Sequence, residues 1–194
     1  MGNLQKYDRQ DVVNKATHLF WEKGFHATSM RNLQERIDMR PGSIYATFGS
    51  KEGLFKESLQ CYADASLARL AACKEETDSP LNTLKYFVKS VVLGSSEGTP
   101  SEMCMLVKTI SELTEDNAEL LAESKRLLKV MENAFAALLT QAQEQGELDK
   151  SRDTRRLARF IQMQLIGLRA YTRANSDAKV NELIDDAFAC LHSS

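Results

Sequence analysis

The chain has 194 residues, of which 43% are hydrophobic, 9 are glycine and only 3 are proline. That suits one domain, or a small one fused to a medium one, built from long helices rather than strands and turns. A formal net charge of −2 conceals an asymmetry, because residues 1–56 carry 9 Lys/Arg against 6 Asp/Glu while the other 138 carry 16 against 21, a basic head on an acidic body.

The first helical stripe runs from Gln10 to Lys23 through Val12, Val13, Ala16, Leu19 and Phe20, with Gly24 placed as its C-cap. Thr28 or Ser29 can cap a second helix whose inner face is Met30, Leu33 and Ile37. Pro41 suits the first position of a third helix through Phe48, since its missing N–H would be unpaired there anyway. Ser50 caps a long fourth helix, and Ser79-Pro80 opens a fifth carrying Leu84, Phe87, Val88 and Val92. Gly94 to Pro100 reads as the clearest loop. A shorter helix is predicted over about 101–113, the longest over about 118–145, and two more over about 154–172 and 178–192. The predicted fold class is therefore all-α, with about nine helices and no strand.

The segment from Thr28 to Leu54 carries the strongest chemical signal. Two short helices meeting at a turn over Ile37 to Arg40 are what a helix-turn-helix needs to place the start of its second helix in the DNA major groove. Ile44 and Phe48, four apart, face inward, which turns Arg40, Gly42, Ser43, Tyr45 and Thr47 outward. Gly42 and Ser43 are small enough to let backbone approach a groove wall. The Tyr45 hydroxyl can meet a phosphate oxygen, and Lys51 at the start of the fourth helix supplies a phosphate contact. Thr28, Ser29 and Met30 lie at a helix N-terminus, itself an anion site. Arg40 suits either a guanine edge or a phosphate.

These residues resemble the tetracycline-repressor (TetR) family of one-component regulators over roughly the first quarter of the chain. The matching pieces are Leu19-Phe20 to Gly24-Phe25, Thr28-Ser29-Met30, Gly42-Ser43-Ile44-Tyr45, Phe48, and Ser50-Lys51-Glu52-Gly53-Leu54. The resemblance implies a DNA-binding set of Thr28, Ser29, Met30, Arg40, Pro41, Gly42, Ser43, Tyr45, Thr47 and Lys51, on a domain over 1–53. It also implies a ligand-binding and dimerisation domain over 54–194, and a homodimer that recognises a palindromic double-stranded operator and is released by a small-molecule effector. Relatives commonly have a glycine in the turn where this chain has Asp38. Aspartate tolerates left-handed backbone, so the turn is expected to form with some strain.

In the body, the last two helices carry more apolar surface than one core needs. Phe160, Ile161, Gln164 and Leu168, then Leu183, Ile184, Ala187 and Phe188, are the expected dimer face, packing two helices per subunit about a two-fold axis. Packing of the same residues on the subunit's own core is the alternative. Cys104, between Met103 and Met105 at a helix start and one turn before Lys108, suits a thiolate sensor of electrophiles or oxidants. It equally suits a small buried hydrophobe. Met103, Met131, Met163, Phe87, Phe135 and Tyr62 are candidate pocket residues for an apolar or aromatic effector.

Other classes fit less well. The four cysteines (Cys61, Cys73, Cys104 and Cys190) show no CxxC or Cys/His metal spacing, so no disulfide framework, metal site or cofactor is expected. A cysteine enzyme would need a base near Cys104, and the body's only histidine is His192. No Gly-rich phosphate loop or HExxH run occurs. A purely architectural DNA-binding protein would call for a basic body, and this one is acidic. With no signal peptide or membrane-length apolar run, the expected location is cytoplasmic.

Overall fold

In a computed structural model of the chain, residues 8–94, 99–175 and 179–191 are described. The head comprises α1 (Arg9–Lys23), α2 (Met30–Ile37) and α3 (Pro41–Phe48), followed by α4 (Lys51–Ala72). The body continues with α5 (Pro80–Leu93), α6 (Met105–Glu112), a 3-10 turn at Glu115–Asn117, α7 (Ala118–Glu144), α8 (Thr154–Ala174) and α9 (Val180–Ala189). Among the described residues all regular structure is helical, and no helix is long and apolar enough to cross a membrane.

Most helix starts are fixed by side-chain caps, each satisfying an otherwise orphaned N–H. Asp8 accepts from Gln10 N, Ser50 from Gly53 N, Ser79 from Asn82 N, and Asp153 from both Arg155 N and Arg156 N. Ser29, not Thr28, caps α2, and Asn32 returns a bond to the Ser29 backbone to complete a capping box. Gly53 is required by close approach, since any Cβ there would collide with the Phe48 carbonyl oxygen. This explains why a glycine follows Ser50-Lys51-Glu52 at the α3–α4 corner.

Two apolar clusters fill the molecule. The first joins the head core, including Phe20, Leu33, Ile44 and Phe55, to Met105, Leu106, Leu113, Leu120 and Leu127 of the body. Phe55 anchors it, with its ring 4.7 Å from Phe20 and 4.9 Å from Phe25, centroid to centroid. The second lies deeper in the body among α5, α7, α8 and α9. The head therefore shares packing with α6 and the first half of α7 and does not hang from α4 alone.

Several expectations shift. The sixth helix starts at Met105 rather than 101, leaving Cys104 as its N-cap residue. Residues 95–98 of the predicted 94–100 loop, and His192, lie outside the described residues. The dimer face is corrected most. Ile161, Leu168, Ile184, Ala187 and Phe188 are buried in the subunit's own core, and all but Ala187 belong to its deeper cluster. Phe160 and Gln164 are only half-buried, and Leu183 is exposed. What α8 leaves uncovered is the neighbouring stripe of Met163, Gly167 and Tyr171, with Met163 69% and Tyr171 51% exposed. The helical period was right, but the outward stripe lies about one position away from the predicted one.

Candidate nucleic-acid interface and body chamber

The turn between α2 and α3 hinges on Asp38, at φ 54° and ψ 42°, the sole non-glycine residue with positive φ among the described residues. This left-handed cap turns the chain sharply, and Met39 then drops its side chain into the head core. Pro41 starts α3 as its sequence position implied, and Ile44 and Phe48 are buried. Arg40, Pro41, Gly42, Tyr45 and Thr47 consequently lie exposed, with Ser43 half-buried beside them. Arg40 forms no ion pair among the described residues, whereas Arg9, Arg31 and Arg36 are each paired with a glutamate. Nothing within 4 Å would obstruct a Cβ at Gly42, so the subunit itself does not demand glycine there.

Three residues of the predicted DNA-binding set are placed differently from the rest. Thr28 is fully buried and its hydroxyl donates to Gly24 O at 2.6 Å, so its side chain stabilises the head instead of facing solvent. Met30 is half-buried and packs on the head core, which leaves its backbone N–H as its only possible anion contact. The Lys51 ammonium rests over the Phe25 ring, 4.2 Å from its centroid, and burial pulls its pKa below the usual lysine value.

Between head and body lies a chamber of about 210 Å³, open to solvent beside the exposed Ala65 and Arg69, whose walls include Trp21, Tyr62, Phe87, Val91, Arg69 and Arg169. A narrower apolar cavity of about 60 Å³ adjoins it, sharing Tyr62, Phe87 and Arg169 and adding Cys104, Met131 and Phe135. Five of the eight ligand or sensor candidates, Tyr62, Phe87, Cys104, Met131 and Phe135, are thus brought together. The other three are not. Met163 points outward, and Met103 contributes a backbone oxygen that accepts from Trp21 Nε1 at 2.6 Å. Lys108 donates to the Trp21 and Glu22 carbonyls, at 3.1 and 2.8 Å, so its ammonium caps the end of α1 rather than sitting beside the Cys104 sulfur. Burial pushes the Tyr62 phenol up; neighbouring Cys104 adds to this and Arg169 opposes it.

Sequence reasoning missed the two arginines and the junction between α6 and the head. Arg169 is only 6% exposed, and its Nε donates to Glu102 O at 2.6 Å. The available signal was phase: Leu157, Ile161, Leu168 and then Arg169 lie on the inward side of α8, where a charge is out of place. At the far end of α6, Glu112 accepts from Phe25 N and His26 N, at 3.1 and 2.6 Å, in the turn between α1 and α2. Gly24 is essential to this contact, because it has φ 88° and a Cβ there would meet the Glu112 carboxylate at 2.5 Å. No local pattern links residues 24 and 112.

Comparison with known proteins agrees with this architecture. Residues 12–58 match the bacterial regulatory proteins of the tetR family, and residues 80–188 match the tetracyclin repressor-like C-terminal domain. The HTH-type transcriptional repressor ComR of Escherichia coli is 30% identical over 171 residues, covering 86% of this chain and 80% of that protein. Among solved structures, a cysteine mutant of the TetR family regulator CifR complexed with 26-bp double-strand operator DNA superposes with a TM-score of 0.83. It is 24% identical and covers 98% of this chain and all of that one. The reduced form of Escherichia coli NemR superposes at 0.79, with 17% identity, over 95% of this chain and 97% of that one. With both halves of the chain matched, this protein belongs to the TetR family of bacterial transcriptional regulators.

Proposed function

We propose that the protein is a repressor that binds a palindromic double-stranded operator as a homodimer and releases it when a small molecule occupies the body chamber. The observation that carries this reading is that one chamber wall, Trp21, belongs to the DNA-binding head. Around it, α6 grips the end of α1 through Lys108 and the following turn through Glu112. A ligand displacing Trp21 or Tyr62, whose rings meet edge to face at 5.0 Å, acts on the element that orients α2 and α3. Shifting a 1:99 equilibrium to 99:1 takes about 5.5 kcal/mol of differential binding, within reach of a buried organic ligand.

On DNA, Arg40 and Ser43 would address base edges, while Tyr45, Thr47 and the N–H groups at the start of α2 and α3 hold phosphates. Gly42 leaves room for a sugar-phosphate wall. The uncovered Met163, Gly167 and Tyr171 on α8, flanked by half-buried Phe160 and Gln164 and with Leu183 on α9, form the proposed dimer face; Gly167 permits close backbone approach. The reading is tested by fluorescence polarisation on DNA from around the protein's own gene. Saturable binding that Tyr45→Ala weakens by about tenfold or more supports it, and binding indifferent to that change overturns it.

Thiol gating is a second reading, favoured by the position of Cys104. It occupies the N-cap position of α6 without a side-chain capping bond, lies half-buried against the cavity beside Tyr62, and precedes the helix whose other end holds the head turn. An adduct on its sulfur would enter the same space as a reversible ligand. Treatment with N-ethylmaleimide separates the two. Operator release that vanishes in Cys104→Ser supports the thiol gate, and unchanged binding in treated wild type rejects it.

A further inference from the structure

The chamber is cationic, and this narrows the chemistry of what it can hold. Arg169 is more than nine-tenths buried, yet all of its hydrogen bonds go to neutral oxygens. Nε donates to Glu102 O at 2.6 Å, while Nη1 and Nη2 lie at a long 3.5 Å from the Tyr62 hydroxyl and Ser101 O. Arg69, on the facing α4, lines the same chamber and donates to Ser90 O at 2.6 Å. Neither guanidinium forms an ion pair among the described residues, and no described lining residue is acidic. Arg69 is exposed at the chamber's edge, so the uncompensated buried charge is that of Arg169, and a buried charge without a counter-ion is costly. The stretched Nη bonds leave the fork of Arg169 available to a better acceptor.

We propose that the chamber takes a small aromatic carboxylate, its carboxylate held by Arg169 and Arg69 and its ring lying among Trp21, Phe87 and Val91. A guanidinium presents paired N–H groups that match a carboxylate in bidentate geometry. The Tyr62 hydroxyl stands beside the Arg169 fork as a further partner. Size sets the class as well. A cavity of roughly 150 Å³ accommodates benzene, so the chamber's 210 Å³ has room for one ring with its acid group. The adjoining cavity of about 60 Å³ gives room for a short substituent on the ring. Weak hydration of an aromatic acid, relative to a phosphate, suits walls that are mostly apolar.

This inference rests on the effector-gated reading above for its consequence, but not for the binding itself, and the two are tested separately. Binding of benzoate, phenylacetate and trans-cinnamate to the full-length protein is measured by titration calorimetry, with benzamide and benzyl alcohol as neutral counterparts. At least one acid is expected to bind about tenfold or more tightly than its neutral counterpart, a factor set by the charged partner. Arg169→Gln is expected to remove that preference and Arg69→Gln to weaken it several-fold. Equal binding of benzamide and benzoate overturns the proposal, as does failure of all three acids to bind. Should Arg169→Gln not fold, Arg69→Gln decides, because wild-type acid affinity in that variant contradicts the two-arginine site. Operator release is then followed by polarisation with the best acid. Binding without release leaves the anion site standing and refutes the gate, whereas release driven by the neutral compounds alone upholds a gate and refutes the acid.

Discussion

The outward face of α3 and the chamber beside α1 are built on opposite plans. The first is made by a run of consecutive residues: a left-handed Asp38, a buried Met39, then Arg40 to Thr47 with Ile44 and Phe48 turned inward. Its geometry follows from a cap, a proline and a helical period. The chamber draws Trp21, Tyr62, Arg69, Phe87 and Arg169 from four helices spread over almost 150 positions. It exists only once α4, α5 and α8 have packed. The face proposed to meet an invariant polyphosphate is thus encoded locally, while the cavity proposed to meet a small molecule is shaped by residues distant in sequence.

Head and body share packed core, and the largest effect should come from removing it. Phe55→Ala deletes the ring that contacts both Phe20 and Phe25 and is expected to cost about 3–5 kcal/mol. Chemical denaturation should show head and body destabilised together in one transition; loss of the head alone would mean the shared cluster does not couple them. Next in size, Arg40→Ala should lower operator affinity by about 1–3 kcal/mol and relax preference at one base position. A uniform loss across sequences, read from a panel of single-base operator variants, would reassign Arg40 to phosphate. Glu112→Gln keeps the shape of the junction but weakens charge-assisted bonds to Phe25 N and His26 N, at a cost of about 1–2 kcal/mol in stability. It should also blunt effector-driven release while leaving effector binding intact, so full release in that variant would sever α6 from the coupling. Lys51→Ala should reduce the salt slope of DNA binding by about one, provided its ammonium leaves the Phe25 ring for a phosphate on the complex. The smallest effect is local: Asp38→Gly should stabilise the turn by about 0.5–1 kcal/mol, visible as a modest rise in Tm.

The same contrast accounts for what could be read in advance. Helix α3 was legible to the residue, because Pro41 sets its start and Gly49 follows its end. Ser29 against Thr28 was not: two hydroxyls stood side by side, and only packing decided that Thr28 turns inward to Gly24. On α8 the apolar period was visible, but burial beneath α7 and α9 selects Ile161 and Leu168 for the core and leaves Met163 outside. Lys108 one turn after Cys104 looked like a thiolate partner by spacing alone. Its long side chain instead reaches the free carbonyls ending α1, a stronger site for an ammonium than a thiol. Gly24 and Glu112 lie nearly ninety positions apart, and no periodicity within either segment announces their contact.

The most direct test of the account is salt-dependent polarisation on an operator from the protein's own upstream DNA, with wild type, Tyr45→Ala and Arg40→Ala compared at matched concentrations. Wild type is expected to bind saturably and with steep salt dependence, and both substitutions to reduce that binding by about tenfold or more. Wild-type affinity and salt slope in both variants would place the DNA contact elsewhere and contradict the role of α3.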